Sequence, residues 1–220
     1  MGLIITVLLL GLLASLSPST IVVFILLLAT TRARVNAAAF LVGWAVSLVI
    51  VFTASYALGG IRVSQRGSGH LAVDAVEILL GTALFVAAVR QWQHRNVPRT
   101  GSKVTKKLTG DLERLNPWQA AIIGVLEQPW TLTAALAVVL VRHHSALIIA
   151  LVAFLVFTIV STATVGLIFL YYARRPGEAE AHLAALRDRV VDGGPAIFAI
   201  ASFLVGIYLV IGGIVGIVGA

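Results

Sequence analysis

Cysteine is absent from the 220 residues, which removes disulfides, thiolate metal sites and thiol redox relays together. Transmembrane electron carriers built on paired cysteines go with them. Charge is also scarce, with only 11% of residues Asp, Glu, Lys or Arg against 60% hydrophobic, and a mean hydropathy of +1.03. A solvated globular surface needs more charge than this. The composition is that of a membrane protein.

A bilayer-spanning helix takes about 20 predominantly apolar residues. Six stretches meet or approach that length: Leu3–Leu28, Ala37–Leu58, Leu71–Val89, Trp118–Val141, Ala146–Tyr172 and Ala196–Val218. The hydrophilic remainder is short connections with no room for a soluble catalytic domain. The expectation is a protein that is not an enzyme and whose function lies in its spans. The first stretch lacks a basic leader, and its apolar run exceeds the roughly 7–15 residues of a signal-peptide core, so it is expected to stay as a span.

Lys and Arg set the orientation. Arg32 and Arg34, then Arg90, Arg95, Arg99, Lys103, Lys106, Lys107 and Arg114, then Arg174, Arg175, Arg187 and Arg189 fall on one side of the six spans. Only Arg62, Arg66 and Arg142 fall on the other. The positive-inside rule makes the first side cytoplasmic and puts both termini outside a plasma (inner) membrane. The net charge of +7 is then topology signal plus attraction to anionic lipid headgroups at the cytoplasmic face. Nucleic-acid binding is the weaker reading, because the basic residues flank helices and lack interleaved aromatics.

Laying Pro18 over Pro129 aligns Leu12–Thr20 with Ile123–Thr131, and Leu80-Gly81-Thr82-Ala83-Leu84 of the third span resembles Val205-Gly206-Ile207-Tyr208-Leu209 of the sixth. Each half has three spans, so the second enters from the opposite side. The pattern predicts an all-α membrane protein of six transmembrane helices as an inverted 3+3 repeat, with helices 1 and 4 broken by proline. Its parts are a first repeat at 1–89, a basic cytoplasmic loop at 90–117, and a second repeat at 118–220 that includes an amphipathic linker at 173–195. Such repeats are a recurring transporter plan, in which discontinuous helices frame a site near the midplane. Leu, Ala and Val segments align easily, so the paired prolines carry more of this reading than the flanking matches.

Proline at 18 or 129 donates no backbone hydrogen bond and crowds the carbonyl four residues back, which frees Ala14 and Val125. Lipid tolerates such carbonyls only where protein, water or substrate satisfies them, and Ser17, Ser19 and Gln128 are placed to help. Glu127 lies about ten residues into its span, where an ionised carboxylate costs at least ~2.5–3.5 kcal/mol. No Lys or Arg lies inside the six spans to pair with it. Reversible protonation of Glu127 avoids that penalty and would couple movement to a proton gradient; a structural hydrogen bond to the broken helix is the competing reading. Asp74 reads as interfacial, and Glu77, three residues on and on the same helical face, as a second proton site. The candidate site is Ser17, Pro18, Ser19, Glu77, Glu127, Gln128 and Pro129.

Other signals are weaker. The Gly212-Gly213-Ile214-Val215-Gly216 stretch reads as close helix packing. His143 and His144 lack a partner at metal-ligand spacing, so no metal is assigned, and no cofactor is implied. In the 173–195 linker, Leu183, Leu186 and Val190 recur at helical spacing, as in a helix lying on the inner membrane surface.

The stretches Leu16-Ser17-Pro18, Leu26-Leu27-Leu28, Arg32-Ala33-Arg34-Val35-Asn36-Ala37 and Phe40-Leu41-Val42-Gly43-Trp44, with the basic loop after the third span and the proline of the fourth, resemble the glycolipid-addressing branch (GAP or Sap) of the lysine-exporter (LysE) superfamily. The resemblance covers nearly the whole chain. It implies a six-helix inner-membrane protein that exports or flips a cell-envelope (glyco)lipid, with that lipid as partner and a homo-oligomer left open. One departure stands out: the branch often has Asn-Pro-Lys in the fourth span, where this chain has Gln128-Pro129-Trp130. The alternatives are an exporter of a small solute such as an amino acid or cation, and a non-transporting membrane scaffold for envelope lipid assembly.

Overall fold

A computed structural model gives the architecture. It describes residues 2–65, 69–93, 115–142 and 146–218, and among these all regular structure is helical. The helices are α1 (Gly2–Ser15), α2 (Pro18–Leu28), α3 (Ala33–Gln65), α4 (Gly69–Gln93), α5 (Pro117–Glu127), α6 (Trp130–Arg142), α7 (Leu147–Arg174) and α8 (Pro176–Val218). Four of them, α3, α4, α7 and α8, are long and apolar enough to cross a membrane singly. The pairs α1+α2 and α5+α6 qualify only when joined, and they bend by 48° and 53° at their breaks. Among the described residues the candidate spans therefore number four, or up to six if each bent pair is one span.

The bends fall at the prolines for a local reason. A residue before proline is pushed out of the helical region, and Ser17 (φ −58°, ψ 112°) and Gln128 (φ −66°, ψ 128°) are both extended. Pro18 then takes the first helical position of α2, where a missing N–H costs nothing. At the start of α5, Pro117 repeats that arrangement, and the Asn116 N–H donates to Gln119 Oε1 at 3.1 Å.

The last helix differs from expectation. α8 runs without interruption for 43 residues, through Pro195, so the linker from Pro176 onward and the sixth span form one helix, while residues 173 and 174 end α7. Ala179 and Leu183 on its early turns are buried in the core while Leu186 is exposed, so protein covers part of this apolar face. The Tyr171 hydroxyl and His182 Nδ1, 2.8 Å apart, fasten it to α7.

Apolar helices gain nothing hydrophobic from meeting in lipid, so close packing carries association, and small residues allow it. The most extensive contact is between α4 and α8. There a Cβ on Gly81 would lie 2.7 Å from the Gly206 carbonyl oxygen, and one on Gly206 2.8 Å from that of Gly81. α3 and α5 cross as tightly: Gly43 faces the Ala121 carbonyl and Gly124 faces that of Phe40. α1 lies on α7, with the Cβ position of Gly11 3.0 Å from Val160. Trp44, Phe24, Phe40 and Phe157 fill the centre. The outer face of α7 shows Leu151, Leu155, Ile159 and Leu167 exposed, an apolar stripe that suits lipid.

Candidate functional site at the two helix breaks

The breaks meet. The Ser19 hydroxyl, one residue past Pro18, hydrogen-bonds the side chain of Glu127, the last residue of α5. Thr20 Oγ1 reaches the Glu127 carbonyl oxygen at 3.3 Å and also donates to Ser17 Oγ at 3.0 Å. Ser17 Oγ is in turn 3.3 Å from Ser19 Oγ. With Thr20 donating to Ser17, Ser17 can donate to Ser19 and Ser19 to the carboxyl. The three hydroxyls thus line up as a donor chain that ends on an acid, an arrangement in which each bond polarises the next.

Each break is also tied to a long helix of the other half. Ser15 Oγ and Thr164 Oγ1 of α7 are 2.6 Å apart. Ser47 Oγ of α3 donates to Gln128 Oε1 at 3.3 Å, while Gln128 Nε2 donates to Thr133 Oγ1 at 2.5 Å. Gln128 and Ser17 are buried, Pro18 is buried with its ring 3.2 Å from the Cβ position of Gly194, and Pro129 and Glu127 are half-buried. Ser19 is exposed, and the neighbouring Leu16, Leu126 and Trp130 are exposed as well.

The freed carbonyls are satisfied differently from expectation. Val125 accepts a hydrogen bond from the indole N–H of Trp130 at 2.9 Å. Ala14 accepts the backbone N–H of Ser17 at 3.4 Å. The side chains of Ser17, Ser19 and Gln128, expected to serve these carbonyls, bond to one another and to neighbouring helices.

A family model described as Sap, sulfolipid-1-addressing protein, matches residues 7–215. The chain belongs to this family. The matched region contains both breaks and every candidate site residue. No curated protein and no solved structure matches the chain.

In this Sap-family chain, Trp130 occupies the position where the sequence departs from Asn-Pro-Lys, and its indole closes the break. Nothing in its type or spacing announced that role. Thr20 could have been found, since it lies one turn from Ser17 and beside the break; Ser47 and Thr133 could not, because they join only when α3 and α6 pack.

Asp74, expected to be interfacial, is 3% exposed. Its carboxyl packs against Gly216, and its carbonyl oxygen lies 2.8 Å from the Cβ position of Gly213. The small residues of α8 that read as a packing stretch therefore make room for it. Glu77 lies on the next turn of α4, but its side chain is outside the described residues. So are His143, His144 and positions 94–114 of the basic loop. Among the described residues no three His, Cys, Asp or Glu gather as a metal site. Of the basic residues whose side chains are described, Arg32, Arg34, Arg90, Arg174, Arg175 and Arg189 are exposed and Arg187 is half-buried. The ion pairs Arg175–Glu178 at 3.4 Å and Arg187–Asp188 at 3.0 Å are surface pairs and add little stability. Hollows of about 380 and about 280 Å³ lie on the α4–α8 seam.

Proposed function

We propose that this Sap-family protein is a transporter that exports or flips a cell-envelope (glyco)lipid, coupled to the proton gradient through Glu127. The observation that carries the reading is the hydroxyl chain Thr20–Ser17–Ser19 ending on Glu127 where two broken helices meet. A titratable group held between two movable half-helices is what coupling requires. The open side of the site favours a lipid. Ser19 and Glu127 are reached beside exposed Leu16, Leu126 and Trp130, whereas a small-solute exporter needs them sealed from lipid and a scaffold needs no such site.

Six spans in an inverted 3+3 repeat are part of the proposal. It is supported by the exchange between halves: α5 packs on α3 while α1 packs on α7, α6 meets α4 while α2 meets α8, and Gly81 meets Gly206. So are membership of the LysE superfamily, both termini outside the plasma membrane, the absence of enzymatic activity, and a cytoplasmic basic rim that receives an anionic headgroup. The family description names a sulfolipid, and a lipid bearing an acidic group would suit that rim.

Transport in reconstituted vesicles tests the core of this. Glu127→Gln keeps size and most hydrogen bonding but cannot titrate, so it should fold normally and lose all response to an imposed pH gradient. Normal gradient-driven transport by that variant would leave Glu127 a structural residue. Orientation is checked by single cysteines in this cysteine-free chain: an impermeant thiol reagent outside should label the Ser68→Cys variant and spare Ser102→Cys. The opposite pattern reverses the topology.

A further inference from the structure

The hollows on the α4–α8 seam form a line. One is lined by Thr82 and Phe85 of α4 with Ile207 and Val210 of α8, the other by Val89, Trp92 and Gln93 with Ile200 and Phe203. The Phe85 and Phe203 rings, 5.2 Å apart at their centroids, stand between them. From Thr82 to Gln93 the line runs about 16 Å at ~1.5 Å per residue. That is roughly half of a ~30 Å hydrocarbon core, the depth of one leaflet.

The two ends differ chemically. At the Gln93 end α4 carries Arg90 in its last turn and Trp92 in the wall, the residue types that anchor at a membrane interface. Toward the other end lie Asp74 and Glu77. An anionic headgroup is drawn to the Arg90 end.

We infer that this seam is an acyl-chain site: it holds a hydrocarbon tail of an anionic lipid, with the headgroup at the Arg90 end. The inference rests on the proposed lipid transport and adds where a tail is held before the lipid moves on to the Ser19–Glu127 site. On the proposed orientation the occupant is an inner-leaflet lipid, loaded before movement. A second copy of this chain is the rival occupant, and the test separates the two.

The probe is dipalmitoyl-phosphatidylglycerol, titrated onto the purified full-length protein in detergent and read by native mass spectrometry. Dipalmitoyl-phosphatidylcholine and glycerol 3-phosphate serve as comparisons. The seam should bind the anionic lipid saturably, the zwitterionic one more weakly, and the soluble headgroup not at all. Ile200→Trp and Val89→Trp fill the groove from opposite walls at exposed positions. Each should weaken binding roughly tenfold or more, the loss expected when about two methylene groups can no longer be buried. Leu155→Trp, on the exposed face of α7, should bind as wild type.

Equal weakening by Leu155→Trp, unchanged binding in both seam variants, or equal binding of the two lipids would overturn the assignment. So would seam variants that dissociate a dimer by light scattering while still binding lipid, since the seam would then be an interface between copies. A wild-type protein that binds in the seam but moves no lipid would sink the transport reading alone; one that moves lipid while the seam variants bind and transport normally would sink the seam alone.

Discussion

The two helix breaks occupy matching places and are closed by different means. At Pro18 the stranded carbonyl of Ala14 is taken up by the chain's own N–H at 3.4 Å, and the hydroxyls of Ser17, Ser19 and Thr20 turn to one another. At Pro129 side chains do the closing: the Trp130 indole caps Val125, and Gln128 joins Ser47 to Thr133. The first break is tied to α7 through Ser15 and Thr164, 2.6 Å apart, and keeps the hydroxyls of Ser17, Ser19 and Thr20 for one another and Glu127. The second is strapped to α3 and α6. Near-equal bends of 48° and 53° are thus closed by different chemistry, hydroxyls at the first and an indole and an amide at the second.

That contrast can be broken from the strapped side first. Gln128→Leu strands two buried hydroxyls, and thermal unfolding in detergent should show a loss of about 2–3 kcal/mol, the upper part of the range for unpaired buried polar groups. Trp130→Phe keeps an aromatic ring but uncaps Val125, and should lose about 1–2 kcal/mol by the same measurement. Ser17→Ala at the other break should lose only about 0.5–1 kcal/mol, because the Ala14 carbonyl is held by backbone that the substitution leaves in place. Its effect should appear instead in transport, as a slowed gradient response with Glu127 still titrating. A Ser17→Ala loss equal to that of Trp130→Phe would erase the distinction between the breaks.

The breaks themselves were legible in the sequence, because the constraint that proline places on itself and on the residue before it acts within a few bonds. The apolar spans were legible for a similar reason, since length and hydropathy are local sums. What escaped depends on which faces meet. Asp74 read as interfacial because its neighbours along the chain are near an end, yet it is buried by Gly213 and Gly216, more than a hundred residues away. Trp130 read as a missing lysine, and its use became visible only with the indole on Val125. The 173–195 linker has the spacing of a surface helix, and only the burial of Ala179 and Leu183, with Leu186 left exposed, shows that protein covers part of that side.

The meeting of Gly81 with Gly206 has a mechanical consequence. Where two backbones touch with no side chains between them, the helices cannot be drawn closer, only pried apart, and any substituent acts as a wedge. Because each glycine faces the carbonyl of the other, a wedge at either position opens the same gap. α4 then serves as a lever arm, reaching about 10 Å from Gly81 to Asp74 and about 18 Å to Gln93 at the helical rise. A single methyl group at the contact would be felt at both tips, loosening the bed of the Asp74 carboxyl and swinging Trp92 away from α8.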